Sequence, residues 1–278
     1  MSIHSWAGLD LDRPRLMGII NVTPDSFSDG GQALAASDAL AQGQRLSAEG
    51  ADILDIGGES TRPGASPVSL DEELSRVLPP IRALAAQGHL ISIDTRHPEV
   101  MRQAAAAGAG ILNDVSGFTT HPDSLATAVE LGLPVCLMHM QGTPQTMQND
   151  PQYTDAVSDV LAWLCAQAQR LEDAGLARHK ICIDPGIGFG KTLAHNLAIL
   201  NAWQRFEDSG YACLLGASRK SFIEKITGET QASARMPGSL IAAATAYRGG
   251  CRLFRVHDVA ESKQALEVEA ALQAQALA

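Results

Sequence analysis

Eight short apolar runs, several rich in β-branched residues, recur along the 278-residue chain: LMGII (16–20), DILDI (52–56), LISI (90–93), GIL (110–112), PVCLM (134–138), KICI (180–183), CLLG (213–216) and RLFRV (252–256). Helical signals lie between them. Ala33–Glu49 is rich in Ala and Leu. Leu70–Ala86 opens on acids, which suit the positive end of a helix dipole. Pro98 stands at a helix start and Gly108 at its stop. Tyr153–Gly175, Leu193–Phe206, Gly238–Tyr247 and Val259–Ala276 complete the set. Strand–helix alternation of this kind predicts a parallel sheet with right-handed crossovers. Eight units that close on themselves make a single-domain (β/α)8 barrel, for which roughly 250 residues is the usual length. An open doubly wound sheet is the alternative, because strand order is not written in the runs. Residues 1–15 form an N-terminal extension expected to cap the lower end of the barrel.

Each run gives way to polar residues: Asn21, Gly57-Gly58-Glu59, Asp94, Asn113-Asp114, His139, Asp184, Ser218-Arg219-Lys220 and His257. In a barrel the C-terminal strand ends share one face, where active sites lie. Residues far apart in sequence would therefore converge there.

Their chemistry points to a flat polar ligand beside an anion. Asp94 and Asp184 end apolar runs, where a carboxylate must find donors or a cation. Each could accept two adjacent N–H groups of a heterocycle, or cap the following helix. Asn113 offers donor and acceptor to a ring; it or Asp114 could instead close the turn. Arg255 and His257 share one side of the last strand, and buried arginine requires an anion. With Lys220 they make a phosphate or pyrophosphate pocket near the last two strands. Arg219 is expected to reach solvent. Asp25 and Asp29, in the long loop INVTPDSFSDGG (20–31), could meet Mg2+, which commonly takes one or two protein oxygens.

Several classes are excluded. DPGIGFGKT (184–192) is not a P-loop, because Pro185 stands where the first glycine is required, and the dinucleotide pattern fails at Lys191. No zinc pattern or nucleophile elbow appears. A net charge of −10 disfavours nucleic acid. No apolar run reaches the ~20 residues of a membrane span, and the N-terminus lacks a secretory signal. Five scattered cysteines suggest buried thiols in a reducing, cytoplasmic setting.

The segments GIINVTPDSFSDGG, GADILDIGGESTRPGA, ISIDT, ILNDVSG, HMQGTP, IDPGIGFGKT, GASRKSFI and FRVHDV resemble, in order and from about Leu16 to Glu261, those of the dihydropteroate synthases. The resemblance implies a barrel transferase of folate synthesis that joins 6-hydroxymethyl-7,8-dihydropterin pyrophosphate to p-aminobenzoate. It implies that Asp94, Asn113, Asp184 and Lys220 bind the pterin. Asn21, Thr61, Arg62, Arg255 and His257 would hold the pyrophosphate, and Asn21 and Asp25 its Mg2+. Ser26, Phe27, Thr61, Arg62, Pro63, Phe189, Lys220 and Ser221 would shape the aminobenzoate subsite. The catalytic set would be Lys220, Asp184, Asp94, Arg255 and His257, and the glycines of the 184–192 turn would let backbone approach the ring. A homodimer through outer helices is implied as well. The rival readings are a methyltetrahydrofolate:corrinoid methyltransferase, which needs no anion clamp, and a silent pterin-binding paralogue.

Overall fold

The computed structural model describes residues 4–22, 31–60, 68–143 and 145–276. A two-stranded hairpin, β1 (Ser5–Trp6) and β2 (Leu9–Asp10), precedes the main sheet. The sheet strands are β3 (Arg15–Asn21), β4 (Ile53–Gly57), β5 (Ile91–Asp94), β6 (Ile111–Asp114), β7 (Val135–Met138), β8 (Ile181–Asp184), β9 (Ala212–Leu215) and β10 (Leu253–Val256). They close in the order β10-β3-β4-β5-β6-β7-β8-β9, every pair parallel. Closure rests on β10 pairing β3, with Phe254 beside Leu16, which overturns the open-sheet alternative. Each strand falls on one of the apolar runs, as expected for segments buried on both faces.

Around the barrel run α1 (Gly31–Glu49), α2 (Leu70–Ala86), α3 (Pro98–Ala106), α4 (Ser124–Leu131), α5 (Ala156–Asp173), α6 (Leu193–Asn201), α7 (Trp203–Glu207), α8 (Ser221–Thr227), α9 (Met236–Arg248) and α10 (Val259–Ala276). Three points differ from the sequence expectation. Helices α4 and α8 occupy stretches too short to display a helical period. The single helix foreseen over 193–206 breaks at Ala202, and α7 then buries both Trp203 and Phe206 against the core.

Strand parity divides the interior. One parity faces the helices: Ile20, Ile56, Ile93, Leu112, Val135 and Ile181 stand side by side in register and join the large core cluster. The other faces the barrel axis, where Met17, Ile53, Ile111, Cys136, Cys182, Ala212, Leu214 and Leu253 meet Trp6. The β1–β2 turn uses Ala7 at φ 51° and Gly8 at φ 78°, the two left-handed residues of a type I′ hairpin. It swings Trp6 into the barrel floor, 1% exposed, with its indole N–H donating to the Lys180 carbonyl at 3.1 Å. The extension thus plugs the lower end. All five cysteines are unpaired thiols, four of them buried.

Candidate active site

Moving two residues along each inward-facing row, from the apolar floor towards the C-terminal mouth, converts Ile53 to Asp55, Ile111 to Asn113, Cys182 to Asp184 and Leu253 to Arg255. On β5 the same step leads from Ser92 to Asp94. The polar residues therefore point inward because the strands have a period of two.

Arg255 crosses the mouth. Its Nε donates to Asp55 Oδ2 at 2.6 Å and its Nη2 to Asp94 Oδ2 at 2.8 Å. The Asn113 Nδ2 lies 3.4 Å from both Asp55 oxygens. Burial depresses the Arg255 pKa, but Asp55 and Asp94 outweigh it and the net shift is upward, so the guanidinium stays charged. A pyrophosphate is the anion expected from sequence for buried Arg255. Asp55 and Asp94 supply the negative charge instead, and they occupy one edge of the guanidinium. Burial raises the Asp94 pKa against the pull of Arg255. Asp94 does not cap α3, whose N-cap residue is His97. Asp114 closes its turn: Oδ1 accepts the Ser116 N–H and hydroxyl, each at 2.7 Å, and Oδ2 accepts the Phe118 N–H at 3.2 Å.

Asp184 is buried, accepts the Gly186 N–H at 2.7 Å, and has its pKa raised by burial against the opposing effects of that bond, Lys220 and Arg255. Lys220, at the N-cap of α8, donates to the Ile187 carbonyl at 2.7 Å and lies 3.9 Å from the Phe189 ring centroid. Burial lowers its pKa to about 7, against the attraction of Asp184. The positions beside the two carboxylates are glycines. A Cβ at Gly57 would sit 3.5 Å from the Asp94 Cβ, and one at Gly216 would sit 3.4 Å from Asp184 Oδ2. The mouth thus has acids and a lysine on its walls and glycines beside both acids, which suits a flat ring.

The glycines of the 184–192 turn also serve the packing of the turn itself. Gly186, Gly188 and Gly190 are all left-handed, at φ 69°, 84° and 58°. A Cβ on Gly186 would run into the His139 carbonyl, and one on Gly190 would lie 2.8 Å from the Gln141 carbonyl. A Cβ on Gly188 would lie 3.0 Å from the Lys220 side chain. Their closest approaches are to the neighbouring loop and to Lys220.

Arg219 also departs from expectation. It does not reach out to solvent but forms a two-pronged ion pair with Asp258. Its backbone is left-handed, φ 59°, a conformation costing roughly 1–2 kcal/mol for a non-glycine residue. Ser239 Oγ accepts its N–H at 2.8 Å and Arg235 Nη1 donates to its carbonyl at 3.2 Å. Gly238 lets α9 seat there, because a Cβ would lie 2.6 Å from Ile223 Cγ2. Ser218 Oγ, 3.0 Å from His257 Nδ1, accepts the His257 N–H at 3.2 Å and ties the ends of β9 and β10 together.

Asp94, Asn113, Asp184, Lys220 and Arg255 therefore converge at one mouth, with Phe189 against Lys220. Asn21 ends β3 on the same face, in register with Gly57. His257 succeeds β10, and Ser221 begins α8 beside Lys220. Asp25, Ser26, Phe27 and Asp29, and Thr61, Arg62 and Pro63, lie outside the described residues. Asp55 and Lys191 are buried charged positions at the mouth that sequence reasoning missed. Asp55 had one available signal, an acid inside an apolar run that also needs a partner, and the run RLFRV carried the matching arginine.

A pterin-binding barrel enzyme is the class that this closed sheet and mouth define. The family model described as pterin binding enzyme matches residues 17–257. The dihydropteroate synthase of Escherichia coli K12 is 47% identical over 96% of this chain and 94% of its own length. Among solved structures, Xanthomonas albilineans dihydropteroate synthase with 4-aminobenzoic acid superposes with a TM-score of 0.90 at 48% identity, covering 96% of this chain and 95% of that one. Burkholderia cenocepacia dihydropteroate synthase complexed with 7,8-dihydropteroate gives 0.87 at 45% identity, covering 96% and 94%. The chain belongs to the dihydropteroate synthase family.

Proposed function

We propose that this mouth joins 6-hydroxymethyl-7,8-dihydropterin pyrophosphate to p-aminobenzoate by a dissociative substitution. The overall reaction is that of the family: a transferase step of folate biosynthesis that yields 7,8-dihydropteroate and pyrophosphate. The observation that carries the reading is the set Asp94, Asn113, Asp184 and Lys220 around a floor left open by Gly57 and Gly216. Asp94 and Asp184 accept the N–H groups of the pterin, and Asn113 and Lys220 complete its polar edge. The bond between the methylene carbon and the pyrophosphate oxygen breaks with its electron pair going to the leaving group. The cation left on the methylene delocalises into the ring. Asp55, Asp94 and Asp184 face Arg255 and Lys220 across the mouth, and in their ionised forms they favour that positive charge; burial raises the Asp94 pKa to about 7, so its contribution grows as pH rises through that value. The amine nitrogen then forms the C–N bond and loses its proton to solvent.

His257, Asn21 and the remaining edge of Arg255 receive the pyrophosphate, with Thr61 and Arg62, and Phe189, Ser221, Ser26, Phe27 and Pro63 border the aminobenzoate. No group of three His, Cys, Asp or Glu side chains suited to a metal stands together among the described residues. Mg2+ needs only one or two protein oxygens beside a substrate phosphate, and the Asn21 amide oxygen with Asp25 meets that need. The ion would neutralise the leaving group, and chelation is expected to slow turnover. A homodimer is proposed through the face of α6, α8 and α9, where Leu197, Ile226 and Ile241 are exposed; sedimentation at twice the chain mass checks it. No described helix is long and apolar enough to cross a membrane. A cytoplasmic location, checked by fractionation, accords with the unpaired thiols.

The substitution course is tested with ring-substituted aminobenzoates of graded amine basicity. Bond breaking that precedes attack makes single-turnover rates vary less than about threefold across the series. A steep rise with basicity would contradict it.

A further inference from the structure

Lys191 resembles the phosphate lysine of a nucleotide-binding loop in sequence only. It is 1% exposed, and its three ammonium protons face three protein acceptors. These are His139 Nδ1 at 3.0 Å, the Phe189 carbonyl at 2.9 Å and the His139 carbonyl at 3.4 Å. Burial, then the lysine itself, pushes the His139 pKa down to about 3, so the imidazole is neutral and its Nδ1 can accept. The ring is fixed edge-on to Trp163 at 5.0 Å. Burial lowers the Lys191 pKa to about 7; charged or neutral, its Nζ is taken up by these acceptors, and the proposed reaction does not use it.

The turn it ends has little stiffness of its own, with three left-handed glycines among the five residues from 186 to 190. Most of its bracing comes from outside. Each of its carbonyls has a donor: Gly186 the Phe189 N–H at 3.0 Å, Ile187 the Lys220 ammonium at 2.7 Å, Gly188 the Gln148 amide at 2.6 Å, Phe189 the Lys191 ammonium, and Gly190 the Tyr153 hydroxyl at 2.7 Å. Gln148 and Tyr153 reach the turn from the segment after β7, and Lys191 reaches back from the turn to the His139 carbonyl that opens that segment. Lys191 sets the carbonyl of Phe189, whose ring lies against Lys220.

We propose that Lys191 is a positioning residue for the aminobenzoate subsite: by clamping the Phe189 carbonyl to His139 it holds the Phe189 ring where p-aminobenzoate must stack. The inference rests on the reading of the mouth as the site that joins dihydropterin to aminobenzoate. A residue that merely stabilised the barrel would alter the amount of folded protein and leave the kinetic constants of the folded fraction unchanged. A clamp on Phe189 acts on one substrate.

The test is steady-state kinetics of Lys191→Met with both substrates varied. The expected result is a rise of tenfold or more in KM for p-aminobenzoate, with kcat and KM for the dihydropterin pyrophosphate within about threefold of the parent. Constants all within twofold of the parent, or a loss shared equally by kcat and both KM values, would overturn it. If Lys191→Met does not fold, Lys191→Gln, whose amide nitrogen falls one atom short of the Nζ position and so loses the clamp while keeping a polar group, is read by the same criteria. Parent enzyme that fails to turn over would refute the reading of the mouth. Parent turnover with an unchanged aminobenzoate KM in the variant refutes the clamp alone.

Discussion

Lys220→Met is expected to lower kcat/KM by about 10²–10³-fold, the scale on which loss of one preorganised charged donor is felt. The side chain spans the two halves of the site. Its ammonium bonds the Ile187 carbonyl, faces the Phe189 ring and offsets the buried Asp184. Methionine fills the same volume without the charge. Asp184 then loses one of its cations in a low-dielectric mouth, where an unpaired carboxylate is costly and its pKa rises further. Both substrates should feel the change, so kcat and the two KM values all worsen. Steady-state kinetics on folded variant decides it, and turnover within a few-fold of the parent would remove Lys220 from the mechanism.

The second large effect is expected at Asp55, which is assigned no contact with either substrate. Asp55→Ala removes one of the two anions that hold Arg255 and leaves Asn113 facing an empty corner. Breaking a buried ion pair from one side costs about 3–5 kcal/mol when the surviving charge is stranded, and Asp94 still holds Arg255, so the lower end of that range is expected. At roughly 2–4 °C per kcal/mol for a domain of this size, the melting temperature falls by about 10 °C. Asp55→Asn keeps an oxygen for the Arg255 Nε and should lose clearly less. The double variant Asp55→Ala/Arg255→Met should be no more stable than Asp55→Ala, since Asp94 is then left without its cation as well. Urea midpoints of the three variants test this. Equal losses for Ala and Asn would mean that the charge on Asp55, which both variants lack, carries the whole effect and the retained oxygen none.

These two residues also mark how far the sequence was legible. Lys220 lies just past an apolar run, so strand counting alone placed it on the active face, as it did Asp94, Asn113 and Asp184. The barrel was readable for the same reason: strands buried on both sides leave runs of Ile, Val and Leu that polar loops bound. Asp55 lies inside such a run, and its inward direction emerges only once Ile53, Asp55 and Gly57 are known to share a face. Arg219 and Lys191 were misjudged or missed because their partners are remote. Asp258 is 39 residues from Arg219, and His139 is 52 from Lys191. A charge whose counter-group comes from another loop carries no local signature. Helix α4 escaped notice for a local reason, its eight residues being too few to show a period. The glycines of the 184–192 turn were recognised as necessary, but their neighbours were set by the loop after β7.

The central claim is that the mouth transfers a dihydropterin-methyl group to an aryl amine. Pyrophosphate release from 6-hydroxymethyl-7,8-dihydropterin pyrophosphate, measured with Mg2+ present and with or without p-aminobenzoate, tests it most directly. The expected result is release that depends on the aminobenzoate and matches dihydropteroate formation mole for mole. Tight binding of the dihydropterin with no aminobenzoate-dependent release would contradict it and would leave a pterin-binding barrel without the transferase.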